Sequence, residues 1–197
     1  MEFKQLTSPL NLYSRREVLS KTCPIPNERG LYAWFFKEVP PNVPADTSIE
    51  INGKVLLYAG ISPKNEISKQ NLRKRIKTHF RGNAEGSTLR LTLGVLLEPL
   101  SGFPLRRVGS GTRMTLTHEG EQWLDEWMRT NAFVCWMEHE FPWQIENELL
   151  KTISLPLNIM DNDHHPFAKH LSKLRSIAKQ NAREMPIADE DGLKRQK

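Results

Sequence analysis

The chain has 197 residues, of which 38% are hydrophobic, with five Trp and eight Phe: enough for one well-buried core and too apolar for a disordered segment. Its formal charge of +5 fits many functions, but no apolar run approaches the ~20 residues that a membrane helix needs, which excludes an integral membrane protein of that kind. Cys23 and Cys135 lie far apart with no CxxC pattern, which argues against a zinc ribbon and a disulfide framework, and the opening MEFKQLTSPL has no basic-then-apolar signal pattern, so the chain reads as soluble and cytoplasmic.

Taken in order, residues 1–28 read as a lead-in, with a short helix around Ser14–Leu19 and an extended approach through Pro24 and Pro26. Gly30–Phe36 and Lys54–Ile61 are short apolar strands, joined by a loop rich in Pro, Asn and Asp, and together they predict an antiparallel hairpin. Ser62–Gln70 is a polar loop. Asn71 then caps a helix over Leu72–Phe80, with Leu72, Ile76 and Phe80 as its buried stripe and Gly82 at its end. This helix places Arg75 and His79 four residues apart on one face.

Ser87 caps a further segment, Thr88–Leu97, whose leucines fit a helix but whose Leu89–Leu93 stretch alternates, leaving a strand open. A Gly- and Pro-punctuated insertion follows around residues 98–117, with a strand near Met114–Thr117. Next come a helix to about Arg129, a short buried strand at Phe133–Met137 and a helix over Pro142–Ile153. Beyond Ile159, Phe167, Leu171, Leu174 and Ile177 predict a docked helix, and the chain from about Glu184 reads as frayed. Charge is unevenly spread. Ser62–Thr115 holds eleven Lys/Arg against three Asp/Glu, whereas Leu116–Glu148 holds one against eight, which suggests a polyanion on one side or solvated helix faces.

Gly30-Leu31-Tyr32 and Tyr58-Ala59-Gly60, followed by Asn71-Leu72-Arg73-Lys74-Arg75-Ile76, then Glu146-Asn147-Glu148-Leu149-Leu150 and Pro156-Leu157-Asn158, are four separated motifs in one order. In that order they resemble the GIY-YIG nuclease superfamily: the basic helix and the Glu146-to-Asn158 series are similar to those of a bacterial excision-repair member, and Gly86-Ser87-Thr88-Leu89-Arg90, Arg113-Met114-Thr115-Leu116-Thr117 and His165-Pro166-Phe167 resemble features of a little-characterised bacterial branch. The resemblance covers about Gly30 to Asn158. It implies an α+β fold, a small three-stranded antiparallel sheet flanked by helices over residues 29–158, with a helical C-terminal extension over 159–197. The implied chemistry is hydrolysis of DNA phosphodiesters with Mg²⁺ or Mn²⁺. On that resemblance Tyr32 and Tyr58 are the active-site phenols, one of which deprotonates or orients the attacking water. Arg75 stabilises charge on the phosphate, His79 helps to position water or phosphate, and Glu146 binds the metal. Gly30, Gly60 and Asn158 complete the site structurally, and Lys64, Lys69, Arg73, Lys74, Lys77 and Arg81 supply nucleic-acid contacts.

Elementary chemistry asks for the same residue types. In-line hydrolysis needs a water, a base and cations to take up developing oxygen charge, and one hard divalent ion held by a carboxylate is typical of phosphate sites. A phenol, with a pKa near ~10, is a poor base unless cations such as Arg75, Arg73 or a metal lower it. Each candidate also has a plainer reading: tyrosines as core aromatics with a hydroxyl at the rim, basic residues as a solvated helix face, Glu148 competing with Glu146. His118, His164 and His165 read as surface or capping residues, and Trp123, Trp127 and Trp136 as core. Two features depart from the excision-repair pattern. The Tyr58-to-Arg75 gap spans Ser62–Gln70 as an inserted loop, and Ile61 stands where that member carries Lys, so Lys64 or Lys69 is the candidate replacement. The other function classes left open are a catalytically silent nucleic-acid-binding module and a protein-interaction domain. Strand preference, single- or double-stranded, is not readable.

Overall fold

The computed structural model describes residues 3–190. Within them run, in chain order, α1 (Lys4–Thr7), β1 (Tyr13–Ser14), α2 (Arg15–Val18), β2 (Gly30–Phe36), β3 (Glu50–Ile51), β4 (Lys54–Ser62), α3 (Leu72–Arg81) and α4 (Thr88–Ser101). They are followed by β5 (Arg106–Val108), β6 (Arg113–Thr115), α5 (His118–Asn131), β7 (Ala132–Glu138), α6 (Pro142–Thr152) and α7 (Pro166–Glu184). The fold is α+β. Its main sheet is antiparallel in the order β1-β7-β2-β4-β3.

The three-strand expectation is therefore corrected to five: β2, β4 and β7 are the long strands, and the two-residue β1 and β3 sit at the edges. The hairpin from β3 to β4 turns on Asn52 and Gly53, both at positive φ (52° and 68°), the conformation that a two-residue turn of this hand requires.

The central strand β2 is buried along its whole length, which follows from helices on both faces of the sheet. Its Tyr32, Trp34 and Phe36 face a cluster with Ile76 and Phe80 of α3, Leu89 and Leu93 of α4, Leu124 of α5 and Leu171 of α7. Leu31, Ala33 and Phe35 face the other way, against Leu6, Leu149 and Leu150. The register of β4 skips Leu57, a bulge opposite Trp34 and Phe35. Cys135 is buried in the second cluster, where burial pushes its thiol up to about 12, and both cysteines are free. No helix of the described residues is long and apolar enough to cross a membrane.

The open reading of Thr88–Leu97 resolves to helix. Its alternation misleads because α4 is buried nearly all round: Leu89, Arg90, Leu91, Thr92, Leu93, Gly94, Leu96 and Leu97 are all out of solvent. The helix runs on through Pro99 to Ser101, so the insertion begins later, as the separate β5–β6 hairpin. The stripe of α7 is Phe167, Leu171, Ala178 and Ala182 with Leu174 at its margin; Ile177, expected inside, is 47% exposed. Residues 185–190, expected to fray, are tied to the hairpin: Arg107 Nη2 donates to the Met185 carbonyl at 2.8 Å, Arg106 Nη2 to that of Pro186 at 3.0 Å, and Ala188 N to that of Arg107 at 2.8 Å. The rest of that stretch, 191–197, lies outside the described residues.

Arg90 is a fully buried guanidinium at the meeting point of three helices. It pairs with Glu121 and, at 2.8 Å, with Asp125 of α5, and donates to the carbonyls of His79 and Phe80 at the end of α3. Thr115 and the backbone N–H of Ala84 donate to the second oxygen of Glu121, and Arg15 reaches Asp125 at 3.2 Å. Part of the charge imbalance of the sequence is thus consumed inside the protein. Removing one member of such a network is costly because it strands the others in low dielectric. Arg90→Met should lower unfolding free energy by about 3–5 kcal/mol in urea titrations, and a loss below 1 kcal/mol would refute the hub role.

Candidate active site

The pairing of β2 with β4 sets Tyr32 opposite Gly60. A Cβ on Gly60 would stand 2.6 Å from the Tyr32 hydroxyl, so only glycine leaves room for that phenol. At Gly30 a Cβ would lie 2.1 Å from the Met137 carbonyl oxygen, so glycine there lets β7 approach. These contacts give both motif glycines a steric reason.

Above this pair stands α3, capped by the Asn71 side chain and oriented by its Leu72, Ile76 and Phe80 stripe. Arg75 Nε donates to the Tyr32 hydroxyl at 3.4 Å, and His79 Nε2 lies 2.9 Å from it. The other ring nitrogen, Nδ1, is 2.7 Å from Ser87 Oγ, which already accepts the backbone N–H of Arg90 at 3.1 Å as the cap of α4. Ser87 is buried, and among the described residues its own proton has His79 Nδ1 as acceptor. The donor–acceptor count therefore assigns the His79 proton to Nε2, donating to Tyr32. Tyr32 then receives two donors, from His79 and Arg75, and its own proton is left for the cleft. The hydroxyl of Tyr58 contacts Thr88 at 3.3 Å.

Electrostatics keep this chain neutral. Burial, followed by Arg75 and Arg90, holds His79 well below its ordinary value. Burial and then Tyr58 push Tyr32 far up, against the opposing pull of Arg75. Without a metal, the cations of the protein do not bring the Tyr32 phenol down: desolvation wins. Burial acts to lower Arg75, but Tyr32 and then Tyr58 outweigh it and hold the guanidinium charged.

Tyr32, Tyr58, Gly60, Lys64, Arg75, Glu146 and Asn158 line one cleft of about 480 Å³. Asn158 closes one end by bonding the backbone of Ala59 twice, Nδ2 to its carbonyl at 2.8 Å and Oδ1 from its N–H at 3.0 Å. His79 lies behind this wall, in contact with Tyr32. The other basic candidates are elsewhere: Arg73 donates to the Ile25 carbonyl at 2.6 Å, Lys74 to that of Lys69 at 3.2 Å, and Lys69, Lys77 and Arg81 are not on the cleft. Glu148 is exposed and off the cleft, unlike Glu146.

Sequence reasoning missed Ser172, Arg175, Ser176 and Lys179 of α7, which also line this cleft. Their i, i+4 pairing was visible, but nothing in it pointed across the sheet. His165 caps α7 and His164 contacts the Leu150 carbonyl, both local roles. His118 lies 2.8 Å from Glu190.

Among the described residues no group of three or more His, Cys, Asp or Glu could hold a metal ion. Glu146 accepts no hydrogen bond from them, and its carboxyl is raised by burial, against the pull of Lys64. A half-buried carboxylate of this kind fits a hard divalent ion whose remaining ligands are water and substrate oxygens.

The family model of the GIY-YIG catalytic domain matches residues 30–177, from the start of β2 into α7. No curated protein and no solved structure matches the chain.

The buried neutral His79 carries a pH signature. Its folded value is depressed, so its stabilisation is fully present above the unfolded value near ~6.5 and is lost as pH falls below it. Between pH 7.5 and 5.5 wild type should lose about 1 kcal/mol more than His79→Gln in denaturant unfolding. Equal losses would mean that His79 takes up its proton in the fold over the same pH range as in the unfolded chain.

Proposed function

We propose that this chain, which belongs to the GIY-YIG catalytic-domain family of phosphodiester-hydrolysing nucleases, is an endonuclease that cuts DNA with a divalent metal ion, Mg²⁺ or Mn²⁺. The observation that carries the reading is the convergence of Tyr32, Tyr58, Arg75 and Glu146 on one cleft, with Tyr32 held by two donors. Arg75 balances charge on the phosphate as the attacked phosphorus gains an oxygen. The Tyr32 oxygen, fixed by His79 and Arg75, orients the attacking water, and its ionised form takes the water proton. Because burial keeps Tyr32 protonated in the free protein, that ionised form grows with alkalinity. Ser87 keeps His79 in the donating tautomer, and Asn158 holds the floor of the cleft in place. Glu146 is the residue that would hold the metal, which supplies positive charge that polarises the phosphate and stabilises the leaving oxygen.

The second reading, a silent nucleic-acid-binding module, draws on the same features: a cationic cleft and a Tyr32 phenol made less acidic by burial. Cleavage decides between them. Supercoiled plasmid and labelled single- and double-stranded DNA are incubated with Mg²⁺, Mn²⁺ or EDTA. Cutting should require metal and fall at least ~10²-fold in Arg75→Ala and in Glu146→Gln, with Glu148→Gln near wild type. Its rate should rise with pH from neutral into the alkaline range, with no break near ~6.5 from His79. Salt-sensitive binding without cutting on any substrate establishes the silent module instead, and cutting that survives Glu146→Gln removes Glu146 from the metal site.

A further inference from the structure

Part of the lining of the cleft comes from α7. One turn-spaced face of this helix, Ser172, Arg175, Ser176 and Lys179, lines the cavity that holds Tyr32, Tyr58, Arg75 and Glu146. Arg175 is half-buried, and among the described residues no carboxylate pairs with it. Burial pulls its guanidinium below the usual arginine value, and Tyr58 opposes that pull. Desolvating a guanidinium costs free energy that hydrogen-bond acceptors or an anion recover, and among the described residues Arg175 donates to neither, which leaves it suited to an arriving anion. Among the described residues lining this cleft, the cations Lys64, Arg75, Arg175 and Lys179 stand against one carboxylate, Glu146, on which Asp161 acts from nearby.

The helix is also fixed in place. Phe167, Leu171, Ala178 and Ala182 bury its inner side, and α7 packs on α4 and β5. At its C-terminal end Arg107 Nε donates to the Ala182 carbonyl at 3.2 Å and Arg107 Nη2 to that of Met185 at 2.8 Å. Arg107 of the hairpin is thus occupied in holding the helix, whereas Arg175 and Lys179 are the cations of α7 presented to the cavity. A guanidinium on a fixed helix loses little further freedom on binding, which favours a planar, two-oxygen partner.

We propose that Arg175, with Lys179 one turn further on, forms a second phosphate site on this cleft, taking the backbone phosphate next to the one aligned with Arg75 on the same nucleic-acid strand. The proposal rests on the nuclease reading for its choice of ligand. Two phosphates gripped, one by Arg75 and one by Arg175, fix the direction and register of the strand across Tyr32. Ser172 and Ser176 add neutral donors suited to phosphate or sugar oxygens.

Fluorescence anisotropy of a short labelled oligonucleotide, single-stranded and duplex, tests this in EDTA over a series of salt concentrations. Arg175→Ala should weaken binding about tenfold and flatten the slope of log affinity against log salt by about one contact's worth. Arg175→Gln, which keeps the packing of the stem, should do the same, and Arg175→Lys should retain the slope while losing part of the affinity. Lys179→Ala should act in the same direction but less. Lys173→Ala removes the same charge from an exposed position of α7 off the cleft and should stay within about twofold of wild type. The proposal is overturned if Arg175→Ala and Arg175→Gln both bind like wild type, or if Lys173→Ala weakens binding as much as they do. Because the readout needs no metal and no cutting, a chain that binds in this way yet cleaves nothing keeps the second phosphate site and loses the nuclease reading.

Discussion

The arrangement depends on one buried guanidinium. Arg90 joins α4 to Glu121 and Asp125 of α5 and to the last carbonyls of α3, and its own backbone N–H donates to Ser87. Those last carbonyls belong to His79 and Phe80, so the same residue that satisfies the C-terminal end of α3 also sets where the His79 ring stands. An apolar residue of similar volume could fill the space, but it would not tie an orientation of Ser87 to an orientation of α3. The ionic hub and the polar chain from Ser87 through His79 to Tyr32 are one structure with a dry end and a wet end.

Burial sorts the polar groups along that structure. At the dry end charge is compensated locally, carboxylate against guanidinium. In the middle, desolvation keeps His79 neutral. At the cleft, Tyr32 is under the same desolvation but touches open space, so its proton is the one that an arriving ligand can influence. The gradient explains why one fold can hold a neutral histidine and a charged Arg75 within reach of a single phenol oxygen.

Legibility followed the range of the contacts. Tyr32, Tyr58 and the two motif glycines could be read because strand periodicity and a short pairing distance put them together; Arg75 and His79 could be read because a helix repeats every four residues. The strand at Glu50–Ile51 had a local signal, Asn52-Gly53, that went unused. Thr88–Leu97 stayed ambiguous because a helix buried on all sides has no polar face to reveal its period. Arg175 was out of reach because the Tyr58 and Arg75 that share its cleft lie on elements far earlier in the chain, and no local pattern encodes that meeting. Charge counts misled in a similar way: Arg73, Arg90, Arg106 and Arg107 contribute to a basic tally yet are bound to backbone carbonyls or buried carboxylates.

The outer rim of β4 has a consequence of its own. Strand β3 pairs only with Lys54 and Val55, and beyond it Leu157 N donates to the Leu57 carbonyl while the Asn158 amide takes both backbone groups of Ala59. A side-chain amide here imitates the edge of a peptide, and one loop does the work of a sixth strand. Sheet rims with free donors and acceptors recruit other chains. By sealing this rim with an asparagine, the fold keeps the Ala59 backbone out of strand pairing there, and the margin beside Tyr58 stays open to whatever enters the cleft.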